Sequence, residues 1–272
     1  MNELPTPTLP LSPVSLPRGS LHRNDPSLHD ERRPALVAWA QHQDEVRQAQ
    51  RLRHQVFAGE MGARLETPLP GHDVDLFDDF CEHLLVRDGE TNEVIGTYRV
   101  LTPAQALRAG SFYSDTEFDL TRLRHLRDRM VELGRSCVHR DHRHGGVILA
   151  LWGALAEFMN RNQLDTMIGC ASIPMLRNGV VCGDAAASIW NQVSRTHLAP
   201  IEYHVRPRLP LPIERLDGSM EVEPPALIRG YLRLGAKVLG PPAWDPDFNS
   251  ADLPMLMRIA DLPGRFRKHF AA

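Results

Sequence analysis

Charged residues set inside apolar, strand-forming runs constrain this chain most: Arg99 closes GTYR within EVIGTYRVL, and Glu132 and Arg135 stand in MVELGRSCV. A charge on a largely buried sheet needs a partner, because desolvation heavily disfavours an isolated ion. Strand alternation puts Thr97 and Arg99 on one face and Tyr98 on the other. Glu132 and Arg135 are three positions apart and would face opposite ways in a regular strand. A β-bulge at Gly134 is therefore expected, reversing the parity and turning both side chains into one cleft.

The rest of the pattern alternates strands and helices. Leu36, Ala38 and Ala40 read as a short strand, and Val46, Ala49, Leu52, Val56 and Phe57 recur at helical spacing through DEVRQAQRLRHQVFAGE. HLLVRD and EVIGTYRVL are expected to be strands joined by a hairpin over Gly89 to Asn92. MVELGRSCV is a further strand, followed by Gly145-Gly146 leading into the helix VILALWGALAEFMNRN and then by the strand DTMIGCAS. Beyond these come a helix in AAASIWNQVSRTHL, the proline-rich RPRLPLPIERL, a helix in PALIRGYLRLG and a short strand in PMLMRIA. With no shift of composition along residues 35–272, one elaborated domain is expected there, preceded by a flexible extension over 1–34 that carries Pro5, Pro7, Pro10, Pro13 and Pro17.

Composition narrows the function classes. A chain of 272 residues, 42% hydrophobic and 24% charged, can bury a good core. A formal charge of −3 argues against a general nucleic-acid binder, yet the cations are almost all arginine, with lysine only at Lys237 and Lys268. Arginine suits bidentate carboxylate and phosphate contacts, so anionic ligands stay in view. Cys81, Cys137, Cys170 and Cys182 are scattered, without a CxxC pair, so neither a disulfide framework nor a zinc site is expected and a reduced cytoplasm is the simplest setting. No signal-like leader and no apolar run of about 18 residues is found, so a membrane-spanning chain is not expected.

Several clusters could carry chemistry. Arg53, Val56, Phe57 and Glu60 share one face of the first helix and could floor a cleft, although a boundary arginine on any amphipathic helix gives the same pattern. HDVDLFDDF packs His72, Asp73, Asp75, Asp78 and Asp79 into nine residues, and carboxylates that close repel unless cations, metal or solvent compensate. The sixth-position glycine and distal glutamate of a calcium loop are missing, so no metal is expected. In HRDHRHGG, Arg140 and Arg143 precede Gly145 and Gly146 at a helix N-terminus, a setting that binds phosphate. Arg122, Arg124, Arg127 and Arg129 could receive an acidic protein surface or simply be solvated. His83 with Asp88 fits an HxxxxD spacing, but the two would face opposite ways in a strand; Cys137 with His139 lacks a third residue to orient the imidazole.

The order and spacing of RHQVF, DLFD, GTYR and ELGR resemble the acyl-homoserine-lactone synthases and their relatives. The wider blocks SFYSDTEFDL, ELGRSCVHRDHRHGG and PPALIRGYLRLGAKVLGPPAWDPDFNSAD are similar to the ornithine N-acyltransferases that begin ornithine-lipid synthesis, a likeness spanning roughly residues 35 to 270. The resemblance implies a GNAT-like α/β (α+β) fold with a mostly antiparallel central sheet, flanking helices and an elaborated C-terminal third. It implies transfer of a 3-hydroxyacyl group from acyl carrier protein to the α-amine of L-ornithine, with the carrier as co-substrate and no metal or redox cofactor. Arg53, Phe57, Asp75 and Asp78 are then expected to bind substrate, the two aspartates through its amines. Glu132 is expected to deprotonate the amine, and Arg99 and Arg135 to bind anions and brace the site. The splayed sheet of GNAT enzymes would admit the thioester carbonyl. Arg140, Arg143, Gly145 and Gly146 would hold the phosphopantetheine phosphate, although HRDHRHGG departs from the usual GNAT loop, and Arg124 and Arg127 would meet the carrier. A lactone-forming signal synthase, an acyltransferase for glutamine or lysine, and an idle acyl-carrier-binding or membrane-associated partner using RFRKHF are the alternatives; peripheral contact with the inner face of the cytoplasmic membrane fits the expected lipid product.

Overall fold

The computed structural model describes residues 34–264; the proline-rich extension ahead of Pro34 and the terminal RFRKHF lie outside them. Strand β1 (Leu36–Trp39) leads into helix α1 (Gln43–His54), whose start carries a His42–Glu45 capping box and whose last turn carries Arg51, Arg53 and His54. Acid at the first turn and base at the last both complement the helix dipole. A π-helical turn, Gln55–Glu60, continues the same rod. Strands β2 (Glu82–Arg87) and β3 (Val94–Leu101) form the expected hairpin, with Asn92 at φ +59° in its turn.

Two helices between β3 and the next strand were not expected. Helix α2 (Pro103–Ala109) has a Thr102–Gln105 capping box with proline at its start, and a short α3 (Ser114–Glu117) follows. The first was readable as T-P-x-Q before AL; the second is too short to leave a periodic signal. Strand β4 (Met130–Val138), helix α4 (Gly146–Arg161) and strand β5 (Thr166–Pro174) then appear where expected. The C-terminal third adds α5 (Asp184–Thr196), α6 (Ala226–Arg233) and strands β6 (Lys237–Val238), β7 (Ala243–Asp245) and β8 (Ser250–Arg258).

These strands form one eight-stranded mixed sheet in the order β1-β2-β3-β4-β5-β8-β6, with β7 also on β8. Every pairing is antiparallel except β4 with β5. Strand β8 begins four residues before the expected PMLMRIA, because Pro254 sits inside it rather than at its start. The Pro254 carbonyl accepts from Leu239 N at 2.8 Å, so its missing N–H points the same way, into the gap between the β6 and β7 pairings. No ladder bond is lost there.

Helix α4 packs Val147, Leu151, Leu155 and Met159 onto Leu84, Val86, Val100 and Val131 on one face of the sheet. Phe77, Leu101, Phe112, Phe118, Leu123 and Ile168 form the core of the other. Gly96 of β3 is required by this packing: a Cβ there would lie 2.4 Å from Val147 Cγ1, so only glycine lets the first turn of α4 approach the strand. Gly169 of β5 has the matching role beside β4, since its Cβ would lie 2.4 Å from the Leu133 carbonyl oxygen. The two strands touch at that point and then part. No described helix is long and apolar enough to cross a membrane.

Candidate active site

Arg53, near the end of α1, is 1% exposed and turns inward. The HDVDLFDD loop closes over it: Arg53 Nε donates to Asp73 Oδ2 at 2.8 Å and Nη2 to Asp78 Oδ2 at 2.7 Å. Arg99, from β3, donates through Nη1 to Asp75 Oδ1 at 2.5 Å and to Asp78 Oδ1 at 3.1 Å. Arg135, from β4, reaches Asp75 Oδ2 at 3.0 Å and Asp73 Oδ2 at 3.3 Å. Three guanidiniums therefore neutralise three carboxylates. Gln50 Nε2 adds a bond to Asp78, and His83 Nε2 bonds the Asp78 carbonyl at 3.0 Å. Burial disfavours the charge on Asp78, yet Arg53 and Arg99 outweigh it and hold that carboxyl well below the usual range. Burial also lowers His83, to about 4, so this imidazole is neutral near pH 7.

This network corrects two expectations. Repulsion among the aspartates is relieved by the chain's own arginines, so Asp75 and Asp78 are committed to scaffold contacts and neither lines the cavity described below. Arg53 likewise points away from that cavity, whereas Phe57 lines it together with Val56 and Glu60. The π-helical turn separates them: beyond His54 the wider winding rotates Val56, Phe57 and Glu60 away from the face that Arg53 occupies.

Beyond Glu132 opposite Ile168, β4 and β5 are no longer paired. On its other edge β4 slips register against β3 between Thr97 and Arg99, which is the expected bulge, but the left-handed residue is Arg135 at φ +49° rather than Gly134. The result is a split in the sheet. A cavity of about 540 Å³ passes through it, lined by Leu133–Val138 of β4 and by Cys170, Ala171 and Ser172 of β5. Tyr98 and Arg99 both line it although neighbouring strand residues face opposite ways, so the cavity reaches both faces of the sheet.

Glu132 stands where the strands part and is 4% exposed. Its Oε2 accepts Tyr113 N–H at 2.6 Å and its Oε1 accepts Ser114 N–H at 2.7 Å and the Ser114 hydroxyl. Burial pushes its carboxyl up, against the donors of Ser114 and Tyr113. It does not contact Arg135; what it holds in place is the start of α3. A buried carboxylate with three donors still has lone-pair capacity for one more partner from the cavity.

On the α4 face, Tyr98 and Tyr231 join hydroxyls beside Ile148 and Trp152 in the cavity wall. His142, Arg143 and Gly145 line its end near the start of α4, where Gly145 takes φ +97°. Arg143 and Arg140 meet Glu60 at 2.8 and 3.6 Å. Arg124 and Arg127 are elsewhere. They precede β4 while Arg140–Gly146 follow it, and nine strand residues put roughly 26 Å between the two ends. Arg127 is also occupied, paired with Asp115 and stacked over Phe112. The two groups lie at opposite ends of β4. Cys137 lines the cavity, but burial pushes its thiol up to about 12, too high for a nucleophile near pH 7.

The sequence reading missed Tyr113, Asp245, Phe248 and Asp252, all in the cavity wall. Asp252 carried the same signal as Arg99, a charge inside an apolar strand, SADLPMLM. The Arg135 guanidinium lies 4.7 Å from the centre of the Phe248 ring and 5.0 Å from that of Tyr113.

Residues 52–153 match the acetyltransferase (GNAT) domain family model. The chain is 34% identical over 254 residues to the L-ornithine N(alpha)-acyltransferase of Rhodobacter capsulatus, covering 86% of this chain and 93% of that protein. It is 33% identical over 248 residues to the protein of the same name from Agrobacterium fabrum, covering 85% and 83% respectively. Among solved structures, a CoA-dependent acyl-homoserine lactone synthase determined with SAM and isopentyl-CoA aligns with a TM-score of 0.48 at 18% identity, over 84% of this chain and 81% of that one.

Proposed function

The chain belongs to the L-ornithine N(alpha)-acyltransferase family, and from that premise we propose that it acylates the α-amine of L-ornithine with a 3-hydroxyacyl group carried on acyl carrier protein. The observation that carries this reading is the split between β4 and β5, with Glu132 at its apex and one cavity open to both faces. Such a site lets a donor and an acceptor meet from opposite sides of a sheet. The donor thioester comes from the α4 side, its phosphopantetheine phosphate near Arg140, Arg143 and the N–H groups of Gly145 and Gly146. The acceptor occupies the side of Glu132 and Tyr113.

Free ornithine is protonated at neutral pH, so its α-ammonium must lose a proton before it can attack. Glu132 takes that proton, directly or through a water. The amine then adds to the thioester carbonyl carbon, and backbone N–H groups that β4 no longer offers to β5 bond the resulting oxyanion. Collapse forms the amide, breaks the C–S bond and releases the pantetheine thiolate, which leaves as the thiol. The reaction balances without a metal or redox cofactor.

The direct test is to incubate the protein with 3-hydroxyacyl carrier protein and ornithine, following free thiol and identifying the product by mass spectrometry. Thiol release that does not depend on ornithine would sink the reading. Arg143→Gln should raise the apparent KM for the carrier by roughly 10- to 100-fold, the range for losing a charged hydrogen bond, with little change in that for ornithine. Arg124→Glu, at the far end of β4, should leave the carrier KM within about twofold; a larger rise would return the carrier to the 122–129 surface.

A further inference from the structure

Around the cavity, most charges are already matched. Arg53, Arg99 and Arg135 are taken up by Asp73, Asp75 and Asp78, while Arg140 and Arg143 share the single carboxylate of Glu60 and keep a net positive charge. Asp245 of β7 and Asp252 of β8 are different. The strands are paired, with Asp245 opposite Ser250 and Asp252 opposite Ala243, so the two carboxylates lie close together in the cavity wall. They are 7% and 3% exposed, and neither has an ion pair among the described residues.

Their hydrogen bonds leave capacity unused. Asp245 Oδ1 accepts the N–H groups of Asp247 and Phe248 at 2.9 and 3.0 Å, whereas its Oδ2 has no partner among the described residues. Asp252 Oδ1 accepts the Ser250 hydroxyl at 2.9 Å, and the Ser172 side chain also bonds the carboxylate, so both of its side-chain partners are neutral hydroxyls. Burial and the neighbouring Asp245 push the Asp252 carboxyl up to about 6, outweighing the two serine bonds and the more distant Arg135, as expected of two like charges sharing a buried site. Burying such a pair is unfavourable unless something positive completes it.

The proposed acceptor supplies that charge. Its α-amine must be neutral to attack, but its side-chain amine takes no part in the reaction and stays an ammonium. We propose that Asp245 and Asp252 hold this side-chain ammonium, and that they are the residues that restrict the acceptor to diamino acids. The inference rests on ornithine acylation as read above and adds the residues that would make it selective. Tyr113 and Phe248 stand beside them in the wall, with the Arg135 guanidinium against both rings.

The test compares ornithine with 2-aminopentanoic acid, which keeps the carbon skeleton and lacks the side-chain amine, in the wild type and in Asp245→Asn and Asp252→Asn. The analogue is read both as acceptor and as an inhibitor of ornithine acylation. In each variant kcat/KM for ornithine should fall roughly 10- to 100-fold, mainly through KM, while the KM or Ki of the analogue stays level or improves. An equal loss for both acceptors, or an unchanged ornithine KM, would overturn the assignment. Should Asp252→Asn melt too low to assay because its serine bonds matter, Asp245→Asn decides alone, since the free Oδ2 has no protein contact to lose. A wild type that acylates ornithine beside variants indifferent to it defeats this inference only. A wild type inactive on ornithine defeats the functional reading as well.

Discussion

Asp78→Asn should unfold with about 3–5 kcal/mol less stability than the wild type, the range for removing one partner of a buried ion pair. The reason is the company Asp78 keeps: Arg53 at 1% exposure and Arg99 at 4% both donate to it, and neither has solvent to fall back on. In a chain of this size that corresponds to a fall in Tm of roughly 10 °C. The pH dependence has a definite sign. Asp78 has a folded pKa well below its unfolded value, so its contribution is complete above about pH 4 and is lost as the pH falls toward the folded value. The Tm gap between wild type and variant should therefore be full at pH 6 and narrow below about pH 4. A variant with wild-type stability and a raised KM for ornithine would show instead that Asp78 faces the substrate.

Glu132→Gln should lower kcat by roughly 100-fold or more, the lower end for losing a positioned general base. A scaffold effect is expected alongside it. The Gln oxygen can still accept Ser114 N–H, but its amide nitrogen would face Tyr113 N–H, leaving a buried donor unsatisfied at about 1–3 kcal/mol. The two effects separate by temperature and pH. Well below its Tm, a variant that lost only scaffold regains turnover; a variant that lost the base does not, and its rate loses the acid limb that titrates Glu132 in the wild type. Wild-type kcat in the folded variant would remove Glu132 from the mechanism.

Much of the fold was legible because its signals are local. Period-2 alternation in HLLVRD and EVIGTYRVL, the Gly145-Gly146 approach to an apolar helix, and the parity conflict between Glu132 and Arg135 each depend on residues a few positions apart. The GNAT-like order of strands and helices followed from them. Short elements held by distant partners were not legible. Helix α3 has only four residues and is anchored by Glu132, eighteen positions from Ser114. Strand β8 runs through Pro254 because the gap between β6 and β7 leaves no donor needed there.

The same division applies to the site. Sequence by itself determined which charges must be internal, since Arg99, Glu132 and Arg135 stand in strand-forming runs, and that the acidic HDVDLFDDF needed cations. Only the tertiary structure decided that those cations are Arg53, Arg99 and Arg135, drawn from α1, β3 and β4, and that Asp75 and Asp78 are thereby withdrawn from the cavity. It also decided that Asp245 and Asp252, more than a hundred residues beyond Arg135, stand in the cavity wall with no ion pair among the described residues. The physical reason is that burial is readable from a residue's neighbours along the chain, whereas charge compensation depends on which segments meet in space, and a sequence does not state that pairing.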